Sequence, residues 1–166
     1  LITPKFKVDS LSWMNHSIVP SIPGFSHHII GSHKDVQALS SKYKWLKYHG
    51  PIVDLQKKMS IIKQFDLYFY ETFGHEGASI AVLEALACGV PVLATKLGGT
   101  GEIIQDGING HLYKDRNISG VLLKHLAVRP NLLMDLKQKT IDDFNNRLHV
   151  KNTACKYMQL FELLMR

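Results

Sequence analysis

Short apolar runs alternate with helix-length segments along this chain, and that alternation points to an α/β architecture built on a parallel sheet. The pattern predicts strands at Ser26–Gly31, Trp45–His49, Asp66–Tyr70, Val90–Thr95 and Gly110–Tyr113. Helices are expected between them, near Trp13–Val19, Asp35–Ser41, Asp54–Gln64, Ser79–Cys88 and Thr100–Gln105. Three more finish the chain, at about Ile118–Ala127, Pro130–Phe144 and Val150–Leu164. Asp54 and Thr100 suit N-caps, Pro130 suits the first turn, and Gly89 suits a left-handed C-cap. No repeat, low-complexity tract or linker interrupts the pattern. With 166 residues, 45% of them hydrophobic, one domain spanning residues 1–166 is expected.

The formal net charge of +6 admits anionic partners such as phosphates, an anionic membrane face or nucleic acid. The lysines are spread over most of the length, so a solvated basic surface is the plainer reading. Basic and aromatic residues interleave from Lys42 to Tyr48, as on a single-strand nucleic-acid platform. The same run suits a strand with Tyr43 and Trp45 on one face, and no nucleic-acid partner is expected. No apolar run reaches the roughly 20 residues needed to span a bilayer, and no signal peptide is visible. Cys88 and Cys155 form no C-x-x-C pair and read as reduced core thiols. A cytoplasmic chain is expected, peripheral at most on the inner face of a membrane.

Glu76 and Glu84 lie eight positions apart and bracket the small-residue start of a helix. If Ala78 or Ser79 opens that helix, its free N–H groups and positive dipole end favour a diphosphate. Glu84 then stands more than a turn inside the helix, and Glu76 on the loop before it. At the helical rise the two carboxylates sit about 10 Å apart, near the span from a ribose to a hexose across a diphosphate.

Three pieces in order carry a family resemblance. They are the Glu76/Glu84 pair, the run Glu84-Ala-Leu-Ala-Cys-Gly-Val-Pro-Val-Leu-Ala-Thr95, and Gly98-Gly99-Thr100-Gly101-Glu102 continuing to Gly110. Together they resemble the C-terminal donor-binding domain of GT-B glycosyltransferases, specifically retaining family 4, also called glycosyl transferases group 1. The resemblance implies a Rossmann-like three-layer αβα sheet that binds a nucleoside-diphosphate sugar. It implies transfer of a hexose or hexosamine, from a donor read as UDP-linked, to a glycan or lipid-linked saccharide, as in polysaccharide biosynthesis. It further implies that Glu84 holds the ribose and that Glu76 stabilises the charge developing on the transferred sugar. The family usually follows that first glutamate with Gly-Phe-Gly, whereas Gly77-Ala78-Ser79 stands here.

Around these two, Gly77 and Ser79 permit close backbone approach, with Ser79 read equally as a helix cap. The amides of Ile80 and Ala81 are candidates for the diphosphate, and His75 for the sugar or a phosphate. The loop at Gly50 and Pro51 resembles the segment flanking the base, and Gly98, Gly99 and Thr100 leave a strand at the ligand edge. The family opens this domain with a strand, an arginine and then a lysine. Residues 1–9 resemble only the end of that segment, so the first strand reads as truncated, with Lys5 or Lys7 as the phosphate lysine. By the same comparison the N-terminal acceptor domain is absent, and the chain alone is expected to be inactive.

No cofactor or metal is expected. Adjacent His27 and His28 point to opposite strand faces, His33 adds no ligand spacing, and no D-x-D motif occurs. Glu102 reads as structural, and Asp142-Asp143 as solvated charge. The last helix carries Ala154, Tyr157, Met158, Phe161, Leu164 and Met165 at helical spacing, a stripe read first as core. The resemblance implies that this helix crosses toward the N-terminal domain, which would leave the stripe partly exposed in the chain alone. Two other functions stay open: a nucleotide-sugar epimerase of the same fold, and a non-catalytic module that binds a nucleotide or a partner protein.

Overall fold

The computed structural model describes residues 4–32, 34–72, 77 and 79–165. In chain order the elements are α1 (Pro4–Ser17), β1 (His27–Ile30), α2 (Lys34–Lys42), β2 (Leu46–Gly50), α3 (Leu55–Ile62), β3 (Tyr68–Tyr70) and α4 (Ile80–Ala87). There follow β4 (Val92–Thr95), α5 (Thr100–Ile103), β5 (Gly110–Tyr113), α6 (Arg116–Ala127), α7 (Pro130–Asp143) and α8 (Val150–Leu164). Every pairing between these strands is parallel, β1 with β2 and β4 between β3 and β5. The chain divides into two compact units, residues 1–61 with 115–130, and residues 62–114 with 131–166.

In the first unit β1 and β2 bury Ile29 and Leu46 against Leu11 of α1 and Val36 of α2. Tyr43 and Trp45 pack on this cluster with ring centroids 5.4 Å apart. They do so from the turn before β2, not from within a strand, because Lys42 still ends α2. Helix α6 closes on α1 through Gly120, where an added Cβ would stand 3.2 Å from the Trp13 ring. Asp115 caps α6 by accepting from the amides of Asn117 and Ile118 at 2.8 and 3.1 Å. Asp54 likewise accepts from the Lys57 amide at 2.9 Å, as its sequence position predicts.

The first segment departs from expectation. Residues 4–17 form a helix, so Lys5 and Lys7 belong to its first turns and not to a loop after a strand. Proline is tolerated at a helix start and nothing in Lys5–Ser17 breaks the helix, which begins well before the Trp13–Val19 span expected.

In the second unit all four residues of β4 are buried. A strand covered on both faces is the interior strand of a parallel sheet, and each of its large side chains contributes about 1.5–3 kcal/mol by burial. Helix α4 feeds into it through a left-handed turn: Gly89 has φ 72°, its amide reaches Leu86 O at 2.9 Å, and the Val90 amide reaches Ala85 O at 3.0 Å. On the other side β5 starts where Gly110 presses on β4. A Cβ at Gly110 would stand 1.9 Å from the Val92 carbonyl oxygen, a distance no side chain survives.

The last helix contradicts the core reading of its stripe. No residue of α8 is buried, and Tyr157, Met158, Phe161 and Leu164 are all more than half exposed. No described helix is long and apolar enough to cross a membrane.

Two consequences are testable. Gly110→Ala should cost at least about 3 kcal/mol in urea unfolding, since the clash is with backbone that cannot rotate away; a loss under 0.5 kcal/mol would contradict the packing. His27 is pushed down to about 4, first by burial and then by the neighbouring His28. The unfolded imidazole binds a proton from about pH 6.5 downward and the folded one does not. Its contribution is therefore complete above pH 6.5 and is lost as pH falls towards 4, by roughly 2–3 kcal/mol. Replacing His27 with Asn should flatten the fall in melting temperature over that window; an unchanged pH profile would refute the assignment.

Candidate functional site

Of the sequence candidates in the second unit, Gly77, Ser79, Ile80, Ala81 and Glu84 lie just before or within the first turns of α4. Ser79 occupies the N-cap position with an extended backbone, and its carbonyl accepts from the Leu83 amide at 3.1 Å. Its hydroxyl makes no capping bond, so the cap reading of that side chain does not hold. Among the described residues no acceptor stands opposite the amides of Ile80 and Ala81. These are the outward-pointing donors of a helix start, with the positive end of the helix dipole behind them. Ile80, at the head of the helix, is 74% exposed, an unusual place for so apolar a side chain. Gly77 is exposed too, and a Cβ there would meet no atom within 4 Å. Among the described residues, nothing in the packing requires a glycine at that position.

Glu84 stands one turn into α4 on the same side as Ile80, four residues and about 6 Å along the axis. It is half-buried, away from the Val82, Ala85 and Leu86 face that packs on the sheet. Its charge reaches two neighbours. Tyr68 is pushed up to about 12 by burial, then by Tyr70 and Glu84. The Cys88 thiol is raised by burial and by Glu84 while Lys63 opposes them, which leaves it a poor nucleophile. His75, Glu76 and Ala78 lie outside the described residues, as does His33.

The glycine-rich run after β4 is a held loop. Thr100 is the first residue of α5 and Gly99 takes the N-cap position, so Thr100 is not the cap that the sequence suggests. Its buried hydroxyl turns back instead, 2.8 Å from Thr95 O and 2.6 Å from Leu97 O, and accepts from the Leu97 amide at 3.2 Å. Gly98 has φ 55°, which suits glycine at the turn. Further on, Asn109 is fully buried. Its Nδ2 donates to Ile103 O at 3.0 Å and to Asp143 Oδ2 at 2.7 Å, and its Oδ1 accepts from the Gln105 amide at 2.8 Å. Arg147 binds both oxygens of Asp143, at 2.8 and 2.9 Å, and donates to Ile103 O at 2.6 Å.

Asp143 is therefore not solvated charge. It is 8% exposed and anchors the loop, because the helix register turns it towards Asn109. Glu102 serves structure through its backbone, accepting from Arg147 at 3.2 Å. Sequence reasoning missed this network, since Asn109 lies 34 residues from Asp143, and the Asp143–Arg147 spacing of four reads as an ordinary helix-surface pair.

In the first unit the Gly50–Pro51 loop borders a cleft of about 300 Å³, whose walls include His49, Ile52, Asp54 and Lys57. Gly50 has φ 68° and turns the chain out of β2. His28 Nδ1 and His49 Nε2 lie 2.9 Å apart, each ring occupying the other. Among the described residues no three His, Cys, Asp or Glu side chains form a metal-holding group.

A family model described as glycosyl transferases group 1 matches residues 5–127. An uncharacterized glycosyltransferase of Methanocaldococcus jannaschii is 29% identical over 119 residues, covering 68% of this chain and 29% of the relative. The lipopolysaccharide 1,6-galactosyltransferase of Escherichia coli K12 is 30% identical over 108 residues, covering 61% of this chain and 28% of the relative. The chain thus spans under a third of the length of these curated relatives. Among solved structures, Anabaena HepE in complex with UDP superposes with a TM-score of 0.72 at 17% identity, over 84% of this chain and 41% of that one. With the motif order and the parallel sheets agreeing, the chain belongs to the glycosyl transferases group 1 family and has the Rossmann-like fold of GT-B glycosyltransferases.

Proposed function

We propose that this chain is the donor-binding part of a retaining glycosyltransferase, with the donor diphosphate held at the start of α4 and the ribose on Glu84. The observation that carries the reading is a helix start whose Ile80 and Ala81 amides meet no acceptor among the described residues, with a half-buried carboxylate one turn inside it. Backbone amides and a helix dipole offer a diphosphate directional donors without a metal ion. Glu84 offers the acceptor that two ribose hydroxyls need, and Gly77 leaves room for a sugar to lie against the backbone. As the diphosphate departs, those fixed amides meet charge as it develops, which is where electrostatic preorganisation lowers a barrier. Glu76 is the candidate for stabilising the sugar cation. The UDP and UDP-glucose complexes of Anabaena HepE support a UDP-linked donor, and the lipopolysaccharide galactosyltransferase supports a saccharide acceptor.

The acceptor-binding domain and the rest of the cleft belong, on this reading, to a longer protein. The exposed apolar face of α8 favours packing against such a domain, because an isolated chain gains nothing from exposing Tyr157, Met158, Phe161 and Leu164 together. The isolated chain is then a binder and not a catalyst.

Calorimetric titration with UDP, GDP and ADP, each with and without EDTA, tests the reading. One nucleotide should bind equally well in EDTA, and Glu84→Gln should weaken it about tenfold with the melting temperature unchanged. Unaltered affinity in Glu84→Gln, or binding abolished by EDTA, would overturn it.

A further inference from the structure

A second cleft, of about 240 Å³, opens at the C-terminal ends of β4 and β5, lined by Thr95, Lys96, Leu97, Tyr113 and Lys114. Thr95 and Tyr113 are register partners, and the Lys96 amide donates to Tyr113 O at 2.8 Å, so the ladder runs one residue past both strands. Lys96 and Lys114 therefore leave neighbouring strands at opposed positions, about 4.8 Å apart in the sheet. Like charges set opposite one another destabilise a sheet. Both lysines are exposed, no acidic residue lines the cleft, and among the described residues neither makes an ion pair. Yet the wall between them is rigid: Leu97 is pinned by the Thr100 hydroxyl, and Tyr113 beneath is buried and stacks on Phe69 with centroids 5.8 Å apart. Two adjacent cations on a fixed frame, with no acidic side chain lining the cleft among the described residues, are what an anion needs.

Position narrows which anion. Helix α4 leaves the sheet from the end of β3, so its start and this cleft share one sheet edge, the cleft lying one to two strands further along. The diphosphate of the donor is already provided for at α4, on the reading proposed above. We infer that Lys96 and Lys114 recognise an anionic group, phosphate or carboxylate, on the saccharide acceptor. The inference rests on that donor reading for the identity of the ligand, but the cation pair stands independently of it. Lysine suits the task as a mobile, hydrated point charge that tolerates either anion. The affinity should fall with ionic strength, because both ammonium groups reach solvent.

The test is an amide NMR titration of this chain with glucose 6-phosphate, glucuronate and glucose at matched ionic strength, alongside a UDP titration. Saturable shifts at Leu97, Tyr113 and Lys114 are expected with one or both anionic sugars and not with glucose. The two anionic arms distinguish phosphate from carboxylate. The double variant Lys96→Gln/Lys114→Gln should weaken that response at least tenfold and leave UDP affinity within twofold. Both side chains are exposed, so the variant should stay folded, which its spectrum will report. Equal shifts with glucose, or no saturable response to either anion, would overturn the inference. A parallel loss of UDP binding in the double variant would also overturn it, by assigning the cations to the donor. Binding of an anionic sugar by a chain that does not bind UDP would uphold the cation site and remove the donor reading instead.

Discussion

The approach of Gly110 to the carbonyl of Val92 governs the second unit. Because no side chain fits in that gap, β5 lies tight on β4, and the Asn109 carbonyl just before it receives the Val92 amide at 3.0 Å. That register places Thr95 opposite Tyr113 and fixes where both strands end. The loop after β4 can then be held by one hydroxyl, Thr100, and the loop before β5 by one amide, Asn109. At the other flank Thr95 bonds to the Thr72 backbone, with its hydroxyl 3.0 Å from the amide and 3.1 Å from the carbonyl, and ties the end of β3 to the same edge. A sheet edge so constrained can position ligands with little reorganisation.

The Asn109–Asp143–Arg147 cluster is a polar network that holds the opposite edge of the sheet, where β5 begins. Arg147 meets Asp143 with two parallel bonds, and Asp143 in turn accepts from Asn109, so every buried polar atom of the trio has a partner. Loss of any one member would strand the others in a poorly solvated site, which costs more than the bond itself is worth. Part of the family's glycine-rich signature is thus explained by packing: Gly110 by close approach, Gly98 by its turn, Thr100 by its tie to the strand end.

Much of this was legible in the sequence, and the reasons differ by element. β5 and α8 fall on the predicted limits, since each is bounded by unambiguous signals, glycine before one and a change of period around the other. The left-handed cap at Gly89 followed from the glycine between a helix-forming run and an apolar one. The first helix starts ahead of its expected Trp13–Val19 span, because residues 1–9 were compared with a family segment and not read for helix propensity. Asp143 and Thr100 were misread because a residue type fixes what a side chain can bond to, not which partner the fold brings near. The lysine pair was within reach: a lysine follows each of two predicted strands directly, but only the parallel register makes them neighbours.

The functional account depends on one claim, that the amides opening α4 receive a diphosphate. The most direct measurement is an amide NMR titration of the isotopically labelled chain with UDP. The account predicts that Ile80 and Ala81 shift together and saturate along one binding curve, with Glu84 moving on the same curve and the Asn109 network unmoved. Saturable shifts confined to other parts of the chain, or no shift at Ile80 and Ala81 while UDP demonstrably binds, would contradict it.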